Sequence, residues 1–383
     1  VPNISLYVHW PFCKSKCPYC DFNSHVSQKI DYDLWLKSYL IELRSFASLL
    51  AGKNLVSVFF GGGTPSLMPP KIAASIIEEL NVLCNVTDAT EITLEANPTS
   101  VEASKFRDFK TAGINRVSLG IQALNNEDLI FLGREHNFTE AMQALELASK
   151  YFHRYSFDLI YARPNQTLRQ WEAELTQALR LTDGHISLYQ LTIEKGTKFY
   201  NQYRKQEFAL PQEELAEEMY ILTQELTEQY GMPAYEVSNH ARVGAECKHN
   251  MVYWNYGDYL GIGPGAHSRL EGRAIMMCYN PGQWLEKVNA TGHGIQQESS
   301  LSQQEILEEL LLMGLRVSEG ISQQNFFKRT GDVPEKLLNL ANLKFLIAEG
   351  LVIQNPYAIK VTKKGRLVLN KIIEMLLQTN TSD

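Results

Sequence analysis

The chain has 383 residues, with 36 Lys and Arg against 43 Asp and Glu, a formal net charge of −7. That balance argues against broad binding to nucleic acid or to an acidic membrane surface. Apolar residues at 44% and charged residues at 21% describe a folded globular chain, long enough for one large domain and a smaller one.

No apolar run approaches the roughly 18 to 20 residues that a spanning helix needs. The N-terminal stretch lacks the basic, apolar and small-residue order of a signal peptide. A cytoplasmic protein with no membrane anchor and no nucleic-acid partner is the expectation.

Taken in order, short apolar runs alternate with longer amphipathic ones. ISLYVHW (4–10), LVSVFF (55–60), EITLEA (91–96), RVSLGIQ (116–122), YSFDLIY (155–161) and HISLYQLTI (185–193) read as strands. Residues 31–50, 70–84, 101–112, 139–150 and 167–182 read as helices, with Asp31, Thr139 and Thr167 as N-caps. Strand and helix in alternation predict a parallel sheet with helical crossovers. Six units predict an α/β fold of the partial (β/α)6 barrel kind, because a closed barrel takes eight.

Composition changes at ATGHGIQQESSLS, so 1–290 is expected as the main domain and 291–302 as a linker. In 303–383, helices at about 303–315 and 334–348, two short strands around Asn355 and Pro356, and a last helix predict a small α+β, winged-helix-like domain. With 10 basic and 9 acidic residues in 301–383, a net +1, it lacks the basic face of a DNA reader.

Six cysteines do not make a disulfide scaffold in a chain of this length. Cys84, Cys247 and Cys278 are scattered and are expected to pack as small apolar residues. Cys13, Cys17 and Cys20 lie within eight residues, directly after the first strand, spaced CxxxCxxC. Three thiolates suit a [4Fe–4S] cube with one iron left open. A structural zinc would want a fourth ligand, for which His9 and His25 are nearby.

GGGTPS (61–66) follows the second strand, where glycines let backbone approach a ligand or simply turn the chain toward a helix. Glu95, Gln122 and Asp158 fall at or near the ends of strands three, four and five. In parallel α/β folds that edge is where ligands bind.

The CxxxCxxC motif after a first strand resembles the radical S-adenosylmethionine (SAM) superfamily, in which SAM chelates the open iron. YVHWPFCKSKCPYCDF, GGGTPS, LEANP, SLGIQ, FLGREH and DLIY recur in this order in the oxygen-independent coproporphyrinogen III oxidase-like (HemN-like) family, and the resemblance covers almost the whole chain. It implies a [4Fe–4S] cluster on Cys13, Cys17 and Cys20, with SAM beside Tyr7, Phe22, Gly62, Gly63 and Thr64. Glu95, Gln122, Arg134 and Asp158 would meet its ribose, carboxylate or adenine side. IYARPNQT carries Ala162 and Arg163 where relatives often have Gly-Leu.

The oxidases of that family have a further cysteine two residues after the last cluster ligand, and this chain has Phe22. A phenyl ring cannot ligate or donate hydrogen. CDFNS instead resembles the family's haem-chaperone branch. So does HNxxYW at His249, Asn250, Tyr253 and Trp254. Histidine suits haem iron, and Tyr and Trp offer flat faces to a macrocycle. His249 is the first candidate ligand, with His267 and Cys247 as rivals; equally, the His could bond within a packed loop while the aromatics fill the core.

The resemblance therefore implies a haem carrier with cluster and SAM. It would pass haem to an acceptor protein, a respiratory-chain component among the candidates, through a dimer if the family pattern holds. No side chain is assigned a catalytic role in that reading. The alternative is oxidative decarboxylation of coproporphyrinogen III to protoporphyrinogen IX.

Overall fold

The computed structural model describes residues 1–27 and 29–378. The last five residues of the expected 303–383 domain lie outside them. Two large buried apolar clusters organise the chain, one running from Ile4 to Val288 and the other from Leu307 to Leu376, with a smaller third from Ala123 to Phe199.

The first cluster lies about one sheet. Its strands are β1 (Asn3–Trp10), β2 (Asn54–Gly62), β3 (Glu91–Ala96), β4 (Arg116–Gln122), β5 (Arg154–Tyr161), β6 (His185–Gln190), β7 (Asn239–Ala241), β8 (Tyr259–Ile262), β9 (His267–Leu270), β10 (Arg273–Met277) and β11 (Ile295–Ser300). They are ordered β11-β10-β9-β8-β1-β2-β3-β4-β5-β6-β7. β1 to β6 pair in parallel, as the six units predict. β1 and β6 are not neighbours, so the six-stranded arc stays open.

Beyond those six, β8 pairs in parallel with the free edge of β1. β9, β10 and β11 continue the sheet antiparallel. The segment 291–302, expected as a linker, therefore carries the sheet's last strand. β11 is polar and mostly exposed, so backbone pairing to β10 holds it and no apolar alternation marks it.

Three local differences have plain causes. The helix expected from residue 139 is Phe138–Tyr151 and is capped by Asn137, not Thr139. Asn137 accepts from the Glu140 backbone N–H and Glu140 reaches back, a capping box. Asp31 and Thr167 cap as expected. The helix expected over 101–112 is two pieces, Ser100–Ala103 and Phe106–Thr111. β6 ends at Gln190, short of residue 193.

In the second unit, helices Gln303–Gly314, Gln323–Thr330 and Leu340–Ala348 pack on a three-stranded antiparallel sheet. Its strands are β12 (Ile321–Ser322), β13 (Val352–Gln354) and β14 (Ala358–Val361), ordered β12-β14-β13. These helices, the small hairpin and the last helix, Leu369–Leu377, match the winged-helix-like expectation. The two units meet through Arg269–Glu309 at 2.6 Å and Arg329–Asp258 at 2.9 Å. Among the described residues no helix is long and apolar enough to cross a membrane.

Candidate functional site

The carboxyl ends of β1 to β6 surround a cavity of about 620 Å³. Its lining includes Cys13, Cys17, Cys20, Phe22, Gly62, Gly63, Thr64, Glu95, Gln122, Arg134 and Asp158, so the fold brings together eleven residues expected at the cluster and SAM. Parallel strands starting at one edge end at one rim, which is why residues up to 145 positions apart (158 − 13) share a cavity.

The cysteine loop leaves β1 and closes on itself where Phe12–Cys13 pairs with His25–Val26. The Thr64 hydroxyl donates to the Cys13 sulfur at 3.4 Å, and an Arg134 N–H to the Cys17 sulfur at 3.1 Å. Burial pushes the Cys13 and Cys20 thiols up.

Of the two nearby histidines, His9 has both ring nitrogens engaged and, among the described residues, His25 only one. His9 is held by the Tyr7 hydroxyl at 3.0 Å and by the Asn23 carbonyl at 2.8 Å, and His25 Nε2 by Asn23 Oδ1 at 2.8 Å. Among the described residues no three His, Cys, Asp or Glu side chains close on a single-ion site. A cube asks something different, since it takes each thiolate at its own iron. Three thiols on one loop, lining one cavity, with a fourth direction left to the cavity, fit that group.

The glycines of GGGTPS serve a close approach of two backbones. The Gly63 N–H donates to the Trp10 carbonyl at 2.7 Å and the Thr64 N–H to the Phe12 carbonyl at 2.8 Å. A Cβ at Gly63 would stand 2.7 Å from the Phe12 carbonyl oxygen, and one at Gly62, whose φ is +110°, only 2.6 Å from the His9 ring. The segment that carries the cysteines thus lies directly on this turn.

Two of the carboxyls that line the cavity, Glu95 and Asp158, are buried at strand ends. Burial pushes Asp158 up to about 6. Burial, then the Asp158 charge, pushes Glu95 up to about 8, although Glu95 accepts from the Gly62 N–H at 3.3 Å. Gln122 ends β4 at φ +75°, where the β4–β5 register shifts. That left-handed residue re-aims the strand end at the cavity.

Two residues that the sequence reading passed over join the site. Asn97, two positions after Glu95 and within the LEANP motif, donates to Thr64 at 3.2 Å and accepts from Arg134. Asn23 donates to the carbonyls of Pro264 at 3.0 Å and Tyr279 at 2.9 Å, tying the cysteine loop to the turns after β8 and β10. The alternation of a strand could have flagged Asn97; nothing in the local sequence flags the partners of Asn23.

A second cavity of about 480 Å³ lies behind the first, and Phe22, Gly62 and Glu95 line both. Tyr7 lines this second cavity and not the first. Tyr253, Trp254, Tyr256, Tyr259, His267 and Arg269 line it too, with Glu309 and Met313 from the C-terminal unit.

His249 lies off the cavity that the two aromatics of its motif line. It is 1% exposed, its Nδ1 meets Ser57 Oγ at 2.8 Å and its Nε2 meets the Tyr253 hydroxyl at 2.8 Å. Burial lowers it to about 3. It orders the wall without reaching the cavity. Cys247 is also buried, its thiol turned to Glu91 at 3.6 Å.

An open parallel arc with three thiols at its carboxyl rim defines a radical SAM protein, and residues 7–178 match the Radical SAM superfamily. Residues 301–368 match the HemN C-terminal domain. The chain is 36% identical to the heme chaperone HemW of Haemophilus influenzae, covering 98% of each chain. It is 34% identical to HemW of Escherichia coli, over 98% of this chain and 99% of that one. Radical S-adenosyl methionine domain-containing protein 1, mitochondrial, of Danio rerio is 36% identical over 97% of this chain and 86% of its own. Coproporphyrinogen III oxidase (HemN) from Escherichia coli shares the fold with a TM-score of 0.83 at 22% identity, over 98% of this chain and 90% of that one. The chain belongs to the HemN-like family of the radical SAM superfamily, in the group that holds HemW.

Proposed function

We propose that this protein is a haem carrier that binds haem and passes it to an acceptor protein. Full-length similarity to the HemW proteins supports that reading over the oxidase one. The observation that carries it within the chain is Phe22. It is 59% exposed at the wall between two cavities, in the place where the oxidases of the family have a thiol. The scattered Cys84, Cys247 and Cys278 are buried and line neither cavity, so they do not replace that thiol.

Cys13, Cys17 and Cys20 would hold the [4Fe–4S] cluster, and Gly62, Gly63, Thr64, Glu95, Gln122, Arg134 and Asp158 the SAM at its open iron. When bound, this pair supplies one-electron reductive chemistry. The chain's own part is to orient and shield it. Arg134 and Thr64 donate to two of the sulfurs, and the two raised carboxyls suit ribose hydroxyls.

The test is anaerobic reconstitution followed by SAM, a reductant and coproporphyrinogen III. Intact substrate, with the cluster quantified and 5′-deoxyadenosine followed as the control for SAM cleavage, is the expected outcome. Protoporphyrinogen IX above the no-SAM control would overturn the carrier reading in favour of the oxidase.

A further inference from the structure

We propose that Arg163 is a positioning residue for the SAM site: buried between two carboxylates, it locks the chain from Gln122 to Arg134 onto the end of β5. The role rests on the cluster and SAM placement above and is independent of the carrier reading.

In IYARPNQT, Arg163 stands where relatives often have Leu, a residue with no charge to pair. The turn out of β5 passes through Ala162 at φ +55°, a left-handed backbone that favours glycine. It then buries a guanidinium that is only 2% exposed. A charge taken so far out of water has to be met by partners. One Nη of Arg163 lies 2.6 Å from Glu174 Oε2 and 2.8 Å from Asp128 Oδ2, and the other donates to the Ile160 carbonyl at 2.6 Å. The carboxylates are met in turn. Glu174 also accepts from the Gln166 amide at 3.3 Å and from the Leu124 backbone N–H at 2.7 Å, and Asp128 accepts from Asn125 at 2.6 Å.

Those partners belong to three parts of the rim. Ile160 lies two residues after Asp158 on β5, and Leu124 two residues after Gln122. Asp128 belongs to the helix Asn126–Phe131, and the turn that ends this helix delivers Gly133 and Arg134. There the Leu132 N–H donates to the Asp128 carbonyl at 2.8 Å and the Arg134 N–H to the Leu129 carbonyl at 2.9 Å. Gly133 rests on the cysteine loop, where a Cβ would stand 2.5 Å from Pro18 Cδ. Arg134 gives one Nη to the Cys17 sulfur and the other to the Gly120 carbonyl at 2.8 Å. One buried guanidinium thus fixes Asp158, Gln122 and Arg134 relative to one another, although it lines neither cavity. Groups that touch a ligand keep their aim through such outer partners.

The test compares SAM affinity with local exchange. Arg163→Met keeps much of the side chain's bulk and removes its charge and donors, while Arg163→Lys keeps the charge and loses the fork. Reconstituted Arg163→Met is expected to assemble its cluster, since the three cysteines are intact, yet to bind SAM about tenfold more weakly. In the cluster-free protein, amide hydrogen exchange over residues 124–134 is expected to be about tenfold faster. Arg163→Lys should fall between the two on both measures. Leu346→Ala, in the core of the C-terminal unit, lowers the thermal midpoint without touching this network and should leave both at wild-type values. Should Arg163→Met fail to fold, Asp128→Ala breaks the same link from its less buried side and is expected to show both changes at smaller size. Wild-type SAM affinity and exchange in the folded variant, or equal losses in Leu346→Ala, would overturn the proposal. A wild-type chain that holds a cluster and does not bind SAM would instead remove the SAM placement, and this role with it.

Discussion

Replacing Glu95 by Gln should make the protein more stable, and more so as pH rises. In the folded chain Glu95 is raised from its ordinary 4.5 to about 8, by burial first and by the Asp158 charge second. In the unfolded chain it ionises at its ordinary value. Between those two values the folded state holds a proton that the unfolded state has lost. A folded state with more protons loses stability as pH rises, with a limiting slope of about 1.4 kcal/mol per pH unit.

From pH 5.5 to 7.5 the full effect would be about 2.7 kcal/mol. Glu95 lines an open cavity and keeps part of its hydration. About half, or roughly 1.5 kcal/mol, is the expected size. Gln has the shape of the protonated acid and cannot titrate. Unfolded Glu95 is already mostly ionised at pH 5.5, so the variant should lead there by about 1 °C, and its lead should widen by roughly a further 2 °C by pH 7.5, given the unfolding entropy of a chain this long.

Thermal unfolding of the cluster-free proteins at the two pH values measures the gap. A gap that stays constant, or one that favours the wild type as pH rises, would refute the electrostatic reasoning. On the reconstituted protein the same substitution should weaken SAM binding roughly tenfold, because an amide cannot lose a proton to become the charged acceptor that ribose hydroxyls favour. The carboxylate would then be kept for its ligand at a cost to the fold.

Cys17→Ala should abolish cluster assembly, read as iron and sulfide content, while haem binding persists; loss of both would show that the cluster and the haem do not bind separately. Gly63→Ala should lower the thermal midpoint and impair reconstitution. Its Cβ would meet the Phe12 carbonyl at 2.7 Å, an overpacking worth about 2 kcal/mol, and an unchanged midpoint would contradict it. Asn23→Ala removes two donors to carbonyls, about 2 kcal/mol of loop anchoring, and should speed cluster loss to a chelator. Asn23→Asp should not rescue it, since a carboxylate has no N–H to give.

The six strands of the arc were legible because each is a buried run of the right length between turn signals. The rim followed from them, because strand ends in a parallel sheet gather by geometry. β8 was not legible. YLGI is four residues with a glycine, and only its partner β1 makes it a strand. β11 escaped for the opposite reason, since QQESS has no apolar face to alternate. The motif HNxxYW was visible as a string, but its division was not. The fold turns His249 to Ser57 and Tyr253 and leaves Tyr253 and Trp254 on the second cavity. His267 stood among the rivals for its place beside GIGPGAH, and its position on the second cavity became visible only in the fold.

The place of β1 in the sheet bears on how the protein is made. One side of β1 pairs with β2 within the first sixty-two residues, and the other waits for β8, with Ser5 opposite Tyr259. A chain emerging from the ribosome exposes that β1 edge through most of its synthesis, an opening for wrong pairing that a folding helper would have to cover. The walls of the second cavity come from Tyr7 at one extreme and Met313 at the other. A growing chain cannot enclose a ligand there until the helix Gln303–Gly314 has emerged. Enclosure of any ligand in this cavity is thus left to the last part of synthesis by topology alone.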